Sequence, residues 1–545
     1  PAGDILNGSF VLDGFSKGFK TLLLGASALI LCTAMSDDKK NPIEDKGEYY
    51  YLFLMALLGA MFMASSVDFI TLFVGLELLS LSSYILVGIR KKSRASNEAA
   101  MKYVISGGIG TAITLFGMSY LYGITGSTNI VDMQKVLTGE LASGIQLLLA
   151  LAFLLLLVGL SFKIATVPFH MWAPDVYEGA ATPVTAFLGT ISKIAGFLLI
   201  IRLFLMIFAS VLIQGDMQSL YGHMSIYIAV LASITMIVGN VVALKQYNIK
   251  RLFAYSGIAH AGYLLVPLVA LSPFTMDSMW FYMLAYMLMN IGAFAIIHGL
   301  ILQNNEENIT IFTGLYKRSP FTAIMMTIFI LSLAGIPGTA GFIGKINIFL
   351  GALHVEPAHY VLASIMMGTT VVSFVYYFRI LQQMFFRTGE TEERIRLPLN
   401  IKVVMSLCAI SIVILGIMPM IGYNFFYEYF PLMKDFFFLA GGMASLGLPG
   451  MSGFVSEFLA FLGLFQGEPV IAAVGVIGII LTAVYVLRAT LQVTFGKKEW
   501  EAKSDIHGWE YVPVLLLIFC IIAIGVMPEI LGDPLQNTLK TLGVK

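Results

Sequence analysis

LLLALAFLLLLVGLSFKIATVPFHMWAPDVYEGAATPVTAFLGTISKIAGFLLIIR (residues 147–202) decides how the whole chain is read. It holds two long apolar runs, each carrying one lysine far from its ends, joined by a segment with Pro168, Pro174 and Pro183. Lys163 closes the first run five residues before Pro168, and Lys193 lies about ten residues inside the second. A charge at the centre of a membrane helix costs ~2.5–3.5 kcal/mol on insertion scales, so such a residue normally faces a partner or a water-filled cavity. Two of them on neighbouring helices, one beside a helix break, point to an ion path.

Working outward, the rest of the chain has the same character. Its 545 residues are 58% hydrophobic and 12% charged, about half the charged fraction of a soluble domain, and the mean hydropathy is +0.87. Apolar runs fall near 17–35, 50–66, 69–89, 98–123, 144–166, 183–209, 223–244, 249–270, 277–302, 320–353, 358–386, 399–420, 435–465, 470–495 and 511–530. Most are long enough to cross a ~30 Å hydrocarbon core as helices, which predicts an all-α polytopic membrane protein in contact with the lipid bilayer. The formal net charge of zero gives no reason to expect nucleic acid as a partner. Cys32, Cys408 and Cys520 stand singly, so neither a metal centre nor a disulfide framework is expected. No P-loop, GxGxxG or HExxH occurs, and PAGDILNGSF does not read as a signal peptide.

Basic loops give the orientation, because lysine and arginine prefer the cytoplasmic side. Strict alternation from a cytoplasmic first loop collects Lys39, Lys40 and Lys46, Arg90 to Lys102, Lys245 to Arg251, Lys317 and Arg318, and Arg387 to Lys402 on one face. The other face, up to residue 433, receives Lys17, Lys20 and Lys135. The alternation then fails. LSLAGIPGTAGFIGKINIF (331–349) is repeated in MASLGLPGMSGFVSEFLAF (443–461), but the second copy is approached from the opposite face. Residues 433–545 are therefore expected to be a three-helix tail that is separate from, or discontinuous with, the preceding chain.

Four ionisable residues stand out within apolar runs: Glu77 in FITLFVGLELLSLSSYILVG, Lys163, Lys193, and Lys345 in GIPGTAGFIGK. Near Pro168 and Pro337 a broken helix leaves backbone groups unpaired at membrane depth, which is tolerated where they line a cavity or are covered by protein. Taken singly, each charge could be a structural ion pair or a snorkelling lysine. His170 and His260 are possible proton relays, since histidine exchanges a proton near neutral pH, although a core histidine bonded to a carbonyl is the blander reading. His223 and His298 read as structural. The 29 methionines and 40 phenylalanines, with the other aromatics, read as lipid-facing and packing residues.

FKIATVPFHMWAPDVYEGAATPVTAFLGTISKIAGF (162–197), NIKRLFAYSGIAHAGY (248–263) and LAGIPGTAGFIGK (333–345) resemble the antiporter-like subunits, type N, of bacterial NADH:quinone oxidoreductase, respiratory complex I. These are relatives of Mrp-type sodium/proton antiporter subunits, and the resemblance spans about residues 10–432. It implies two inverted five-helix repeats, each with one discontinuous transmembrane helix. It also implies an ion pair between Glu77 and Lys163, a central relay at Lys193, a second-channel lysine at Lys345, and further axis positions at Lys102 and His170. The expected divisions are 1–66 (peripheral helices, the family's first two being missing), 67–209 and 210–386 (the two half-channels), 387–432 (a C-terminal helix) and 433–545. The last resembles the C-terminus of the sister subunit M, with Glu457 at the place of Lys345. The resemblance further implies a proton-translocating subunit of the bacterial plasma (inner) membrane that binds no cofactor itself, within an enzyme that uses NADH and quinone. Its partners would be the antiporter-like subunits M and L and small membrane subunits. A stand-alone Mrp-type antiporter subunit and a purely structural membrane scaffold are the alternative classes.

Overall fold

The computed structural model describes residues 4–5, 8–36, 43, 45–137, 143–209, 211, 220–271, 273–304, 306–355, 358–387 and 394–429. The chain divides into two units, Pro1–Pro431 and Leu432–Lys545, and every described residue lies in the first. Glu457, the tail helices and the junction near Met433 lie outside the described residues.

Among the described residues the architecture is helical, apart from a short antiparallel pairing of Asp4–Ile5 with Phe10–Val11. The helices are α1 (Gly14–Ala34), α2 (Lys46–Ser65), α3 (Phe69–Val87), α4 (Arg94–Thr125), α5 (Ile130–Leu137), α6 (Ser143–Ile164), α7 (Trp172–Gly179), α8 (Thr182–Phe187) and α9 (Lys193–Leu203). There follow α10 (Leu220–Ala243), α11 (Ile249–Val269), α12 (Pro273–Asn304), α13 (Leu315–Arg318), α14 (Pro320–Ala334), α15 (Ala340–His354), α16 (Tyr360–Phe386), α17 (Leu399–Ile417) and α18 (Met420–Tyr429). α8 and α9 form one span with the π-turns Leu188–Ser192 and Phe204–Phe208. Among the described residues eleven helices, with α8–α9 counted as one, are long and apolar enough to cross a membrane, and α14 and α15 are shorter apolar helices on either side of a break.

Local chemistry sets where the helices start and stop. Asp68 Oδ2 accepts from the amides of Ile70 and Thr71, and Asn248 Oδ1 from those of Lys250 and Arg251, satisfying donors that a helix start leaves unpaired. α14 stops at Gly335, whose φ of 85° suits a residue without Cβ, and Pro337 lies in the gap before α15. α6 stops just short of Ala165, which also takes a left-handed conformation, φ 56°. Both breaks fall where the prolines predict them.

Contacts between loops agree with the two faces read from the basic residues. On one face Lys91 meets Asp45 at 3.2 Å, Asn248 bridges to Asn308, and Ser36 Oγ donates to Asn400 Oδ1 at 2.9 Å. On the other, Phe10 bridges to Ser66, Asp68 to Asn129, and the Arg202 guanidinium reaches Asp13 at 3.4 Å. Counted by spans, α2, α3, α4, α6 and α8–α9 make one set of five, and α10, α11, α12, α14–α15 and α16 make another that starts from the opposite face. In each set the fourth member is the broken one.

Burial separates a centre from a rim. The windows of α8–α9, α11 and α12 are 89%, 94% and 94% buried, against 28% for α4. α4 instead exposes Ile105, Ile109 and Phe116, and α16 exposes Val371 and Val375, an apolar surface suited to lipid or to neighbouring apolar helices. Lys193 sits on one of these central helices, whereas Glu77 on α3 and Lys163 on α6 belong to spans that are 56% and 44% buried.

Candidate functional site

The site begins at the first break. Lys163 occupies the last turn of α6, and its ammonium donates to Ser80 Oγ on α3 at 2.9 Å. Glu77 precedes Ser80 by three residues, so both belong to one face of α3. The expected partners thus share a patch, but the lysine's hydrogen bond goes to the hydroxyl, and Glu77 Oε1 is buried without a hydrogen bond. Protein groups cover the break itself: the Trp172 indole donates to the Phe162 carbonyl at 2.9 Å, and the Val167 amide donates to Thr235 Oγ1 at 3.1 Å.

Lys193 follows directly on the π-turn Leu188–Ser192, a local widening often found at functional positions. Its ammonium is 4% exposed as a residue, donates to the Gly257 carbonyl of α11 at 2.5 Å, and stands 6.0 Å from the Tyr286 ring centre. The approach is close: a Cβ at 257 would fall 2.7 Å from the Lys193 Nζ and would push the ammonium aside.

One turn further along α11, His260 is enclosed by tyrosines. Its Nδ1 is 2.5 Å from the Tyr282 hydroxyl and its Nε2 is 3.1 Å from the Tyr377 hydroxyl, which in turn lies 2.5 Å from Ser256 Oγ. Another turn brings Tyr263, whose ring centre is 5.0 Å from the Lys345 ammonium. Lys345 donates to the carbonyls of Leu333 at 2.8 Å and Ala334 at 3.2 Å, acceptors left available where α14 is interrupted. Asn240 donates to the Tyr263 hydroxyl at 3.1 Å and accepts from Tyr376 at 2.9 Å. Gly257, His260 and Tyr263 thus form a stripe on α11 that joins Lys193 to Lys345.

His170 and Lys102 lie to one side of this line. His170 is partly exposed, its buried Nδ1 makes no hydrogen bond, and its ring centre is 6.3 Å from that of Tyr255. Lys102 is 45% exposed at its side chain and meets Glu98 at 2.8 Å and Asp175 at 2.6 Å. Asp175 also meets Arg251 at 2.6 Å, and Arg251 continues to Glu178 at 2.9 Å. Beside them the buried Lys250 pairs with Glu307 at 2.5 Å and donates to the carbonyls of Glu178 and Ala180.

Sequence reasoning assigned the aromatics to packing and so missed Tyr263, Tyr282, Tyr286, Tyr376 and Tyr377, all of them fully buried around His260. A usable signal was Tyr282 and Tyr286 at i, i+4 within an apolar run, where two hydroxyls on one helix face must find partners. Among the described residues no group of histidine, cysteine, aspartate or glutamate is arranged to hold a metal ion.

Broken helices in two oppositely started sets, with lysines beside the breaks, define an antiporter-like transport subunit. Residues 65–373 match the family described as NADH:quinone oxidoreductase/Mrp antiporter, TM. The chain is 95% identical over 439 residues to NADH-quinone oxidoreductase subunit N of Bacillus anthracis, covering 81% of this chain and 87% of that protein. It is 58% identical over 425 residues to subunit N of Geobacillus sp. (strain WCH70), covering 78% and 86%. Among solved structures, a chain of respiratory complex I from Thermus thermophilus aligns with a TM-score of 0.63 at 31% identity, covering 76% of this chain and 87% of that one. A chain of an archaeal membrane-bound sulfane sulfur reductase aligns with a TM-score of 0.69 at 28% identity, covering 77% and 82%. The chain belongs to the NADH:quinone oxidoreductase/Mrp antiporter family of membrane subunits.

Proposed function

We propose that this chain is the proton-translocating, antiporter-like membrane subunit of a bacterial NADH:quinone oxidoreductase, and that protons pass along Lys163, Lys193, His260 and Lys345. The observation that carries the reading is the α11 stripe, which sets a histidine and two hydroxyl-bearing rings between lysines that each end on a neutral oxygen. A lysine held by a hydroxyl or carbonyl can give up its proton without leaving a carboxylate unpaired. That suits a relay better than a fixed ion pair.

The enzyme as a whole uses NADH and quinone, and the redox chemistry belongs to other subunits. This chain's own residues bind and pass protons: a change of charge near Glu77 would release the proton of Lys163 towards Lys193, and from there past His260 to Lys345. Its surroundings are the inner-membrane bilayer and the other membrane subunits, including those of types M and L. The 95% identity to a subunit of the oxidoreductase favours this reading over a stand-alone Mrp antiporter.

Proton pumping by the assembled complex in sealed vesicles tests it. Lys163→Ala is expected to lower the protons moved per NADH oxidised while the subunits still co-purify. Parent-like pumping by that variant would overturn the proposal.

A further inference from the structure

Away from the proton path, a small cavity lies on the face that gathers the basic loops. It is enclosed by the end of α1, the first turns of α2, the segment after α3, the start of α8 and one side of α12. Its lining includes Ser36, Lys46, Tyr49, Arg90, Pro183 and His298. The enclosed space is about 30 Å³, room for about two water-sized groups.

The lining is cationic. Lys46, Arg90 and His298 bring nitrogen from three separate parts of the chain, and no carboxylate stands among the described lining residues. Asp45 and Glu48, on either side of Lys46 in the chain, are more than half exposed and meet Lys91 at 3.2 and 3.6 Å. His298 Nε2 donates to the Ser36 carbonyl at 3.3 Å, which anchors the imidazole at the wall. Tyr49 gives an independent sign of a ligand. It is 2% exposed, its ring meets Tyr50 edge-on at 5.3 Å, and its hydroxyl is buried without a hydrogen bond. A buried hydroxyl without a partner is costly, and an oxygen of a bound anion would satisfy it. Lys46 is exposed whereas Tyr49 and His298 are buried, so the cavity runs inward from the surface to that hydroxyl.

We infer that this cavity is a binding site for a phosphate group. Two phosphate oxygens fill the two water-sized positions. The Arg90 guanidinium and the Lys46 ammonium supply charge-assisted donors, and the Tyr49 O–H donates at the inner end. Basic pockets between membrane helices on the positive side of the bilayer take anionic lipid headgroups, and free phosphate offers the same oxygens. Binding there would join α1, α2, α8 and α12 at one end of the bundle, and α8 opens the span that carries Lys193.

Phosphorus retained by the purified whole complex after washing in lipid-free detergent tests the site. Extraction with organic solvent then separates the two sources, since lipid phosphorus enters the organic phase and inorganic phosphate stays in the aqueous phase. Arg90→Gln is expected to retain one phosphorus fewer per complex than the parent, and the phase in which it is missing names the source. Inorganic phosphate and phosphatidylglycerol are next titrated separately into the washed complexes. The probe that the parent takes up should bind Tyr49→Phe, which keeps the ring and loses only the oxygen, about tenfold more weakly. Arg90→Lys should recover part of the binding lost in Arg90→Gln. The Tyr49→Phe comparison stands even where Arg90→Gln lowers assembly. Equal phosphorus in parent and variants, with equal affinity for both probes, would overturn the site and leave a cavity that holds water only. Neither result bears on the proton path, which pumping by Lys163→Ala tests separately.

Discussion

The two broken helices pair a lysine with an interruption in opposite ways. On α6 the lysine precedes the break and its ammonium crosses to another helix, at Ser80 on α3. On α15 the lysine follows the break and turns back to the carbonyls of Leu333 and Ala334 on the helix it interrupts. The surroundings differ to match. Glu77 Oε1, Tyr103 Oη and Ser192 Oγ make no hydrogen bond, and Tyr103 lines a small cavity with Ser80 and Lys163, whereas Tyr263, Tyr282 and Tyr377 are each bonded to a named partner. One half is arranged for groups that change partners, and the other for groups that keep theirs. A repeat can thus preserve its backbone device while reversing how the charge is held.

The strongest way to break this comparison is at Lys193, where the halves meet. Lys193→Arg keeps the charge, but arginine stays protonated in proteins, so the step through this residue should be lost altogether with the complex intact. Parent-like pumping would make Lys193 a fixed charge. Glu77→Ala comes next. Removing a carboxylate near Lys163 is expected to slow pumping through this chain by a factor on the order of ten, the equivalent of one pKa unit of lost interaction. An unchanged proton-to-NADH ratio would detach Glu77 from the path.

On the tied side, Tyr377→Phe removes a hydroxyl shared by His260 and Ser256, and the first effect should be on stability, at about 1–3 kcal/mol for the stranded partners. Thermal unfolding of the purified complex would show it, and a large pumping loss with unchanged stability would erase the distinction between the halves. The smallest effect is expected at Lys102. Its pairs with Glu98 and Asp175 are partly exposed, and such pairs contribute about 0–1 kcal/mol. A pumping loss as large as that of Glu77→Ala would instead place Lys102 on the path.

The lysines were legible because a charge inside an apolar run has no ordinary explanation, and Pro168 and Pro337 announced the breaks for the same reason. The faces of the helices were legible from the basic loops. The tyrosines around His260 were not, since an aromatic within an apolar run looks the same whether it meets lipid, a side chain or an imidazole. Nor could Ser80 be singled out as the acceptor of Lys163. Which turn of α3 lies against which turn of α6 depends on packing between helices, and that register is not written in either helix alone.

The stripe of Gly257, His260 and Tyr263 has a consequence for how α11 can change over time. Its three members are spaced three residues apart, so they rise about 9 Å along one side of the helix. A substitution between them alters one contact, but one inserted or deleted residue swings everything beyond it by about 100°. α11 is a ruler in this sense: its lettering can drift while its length cannot, and a lineage that changed the count between 257 and 263 would have to rebuild the path from Lys193 to Lys345.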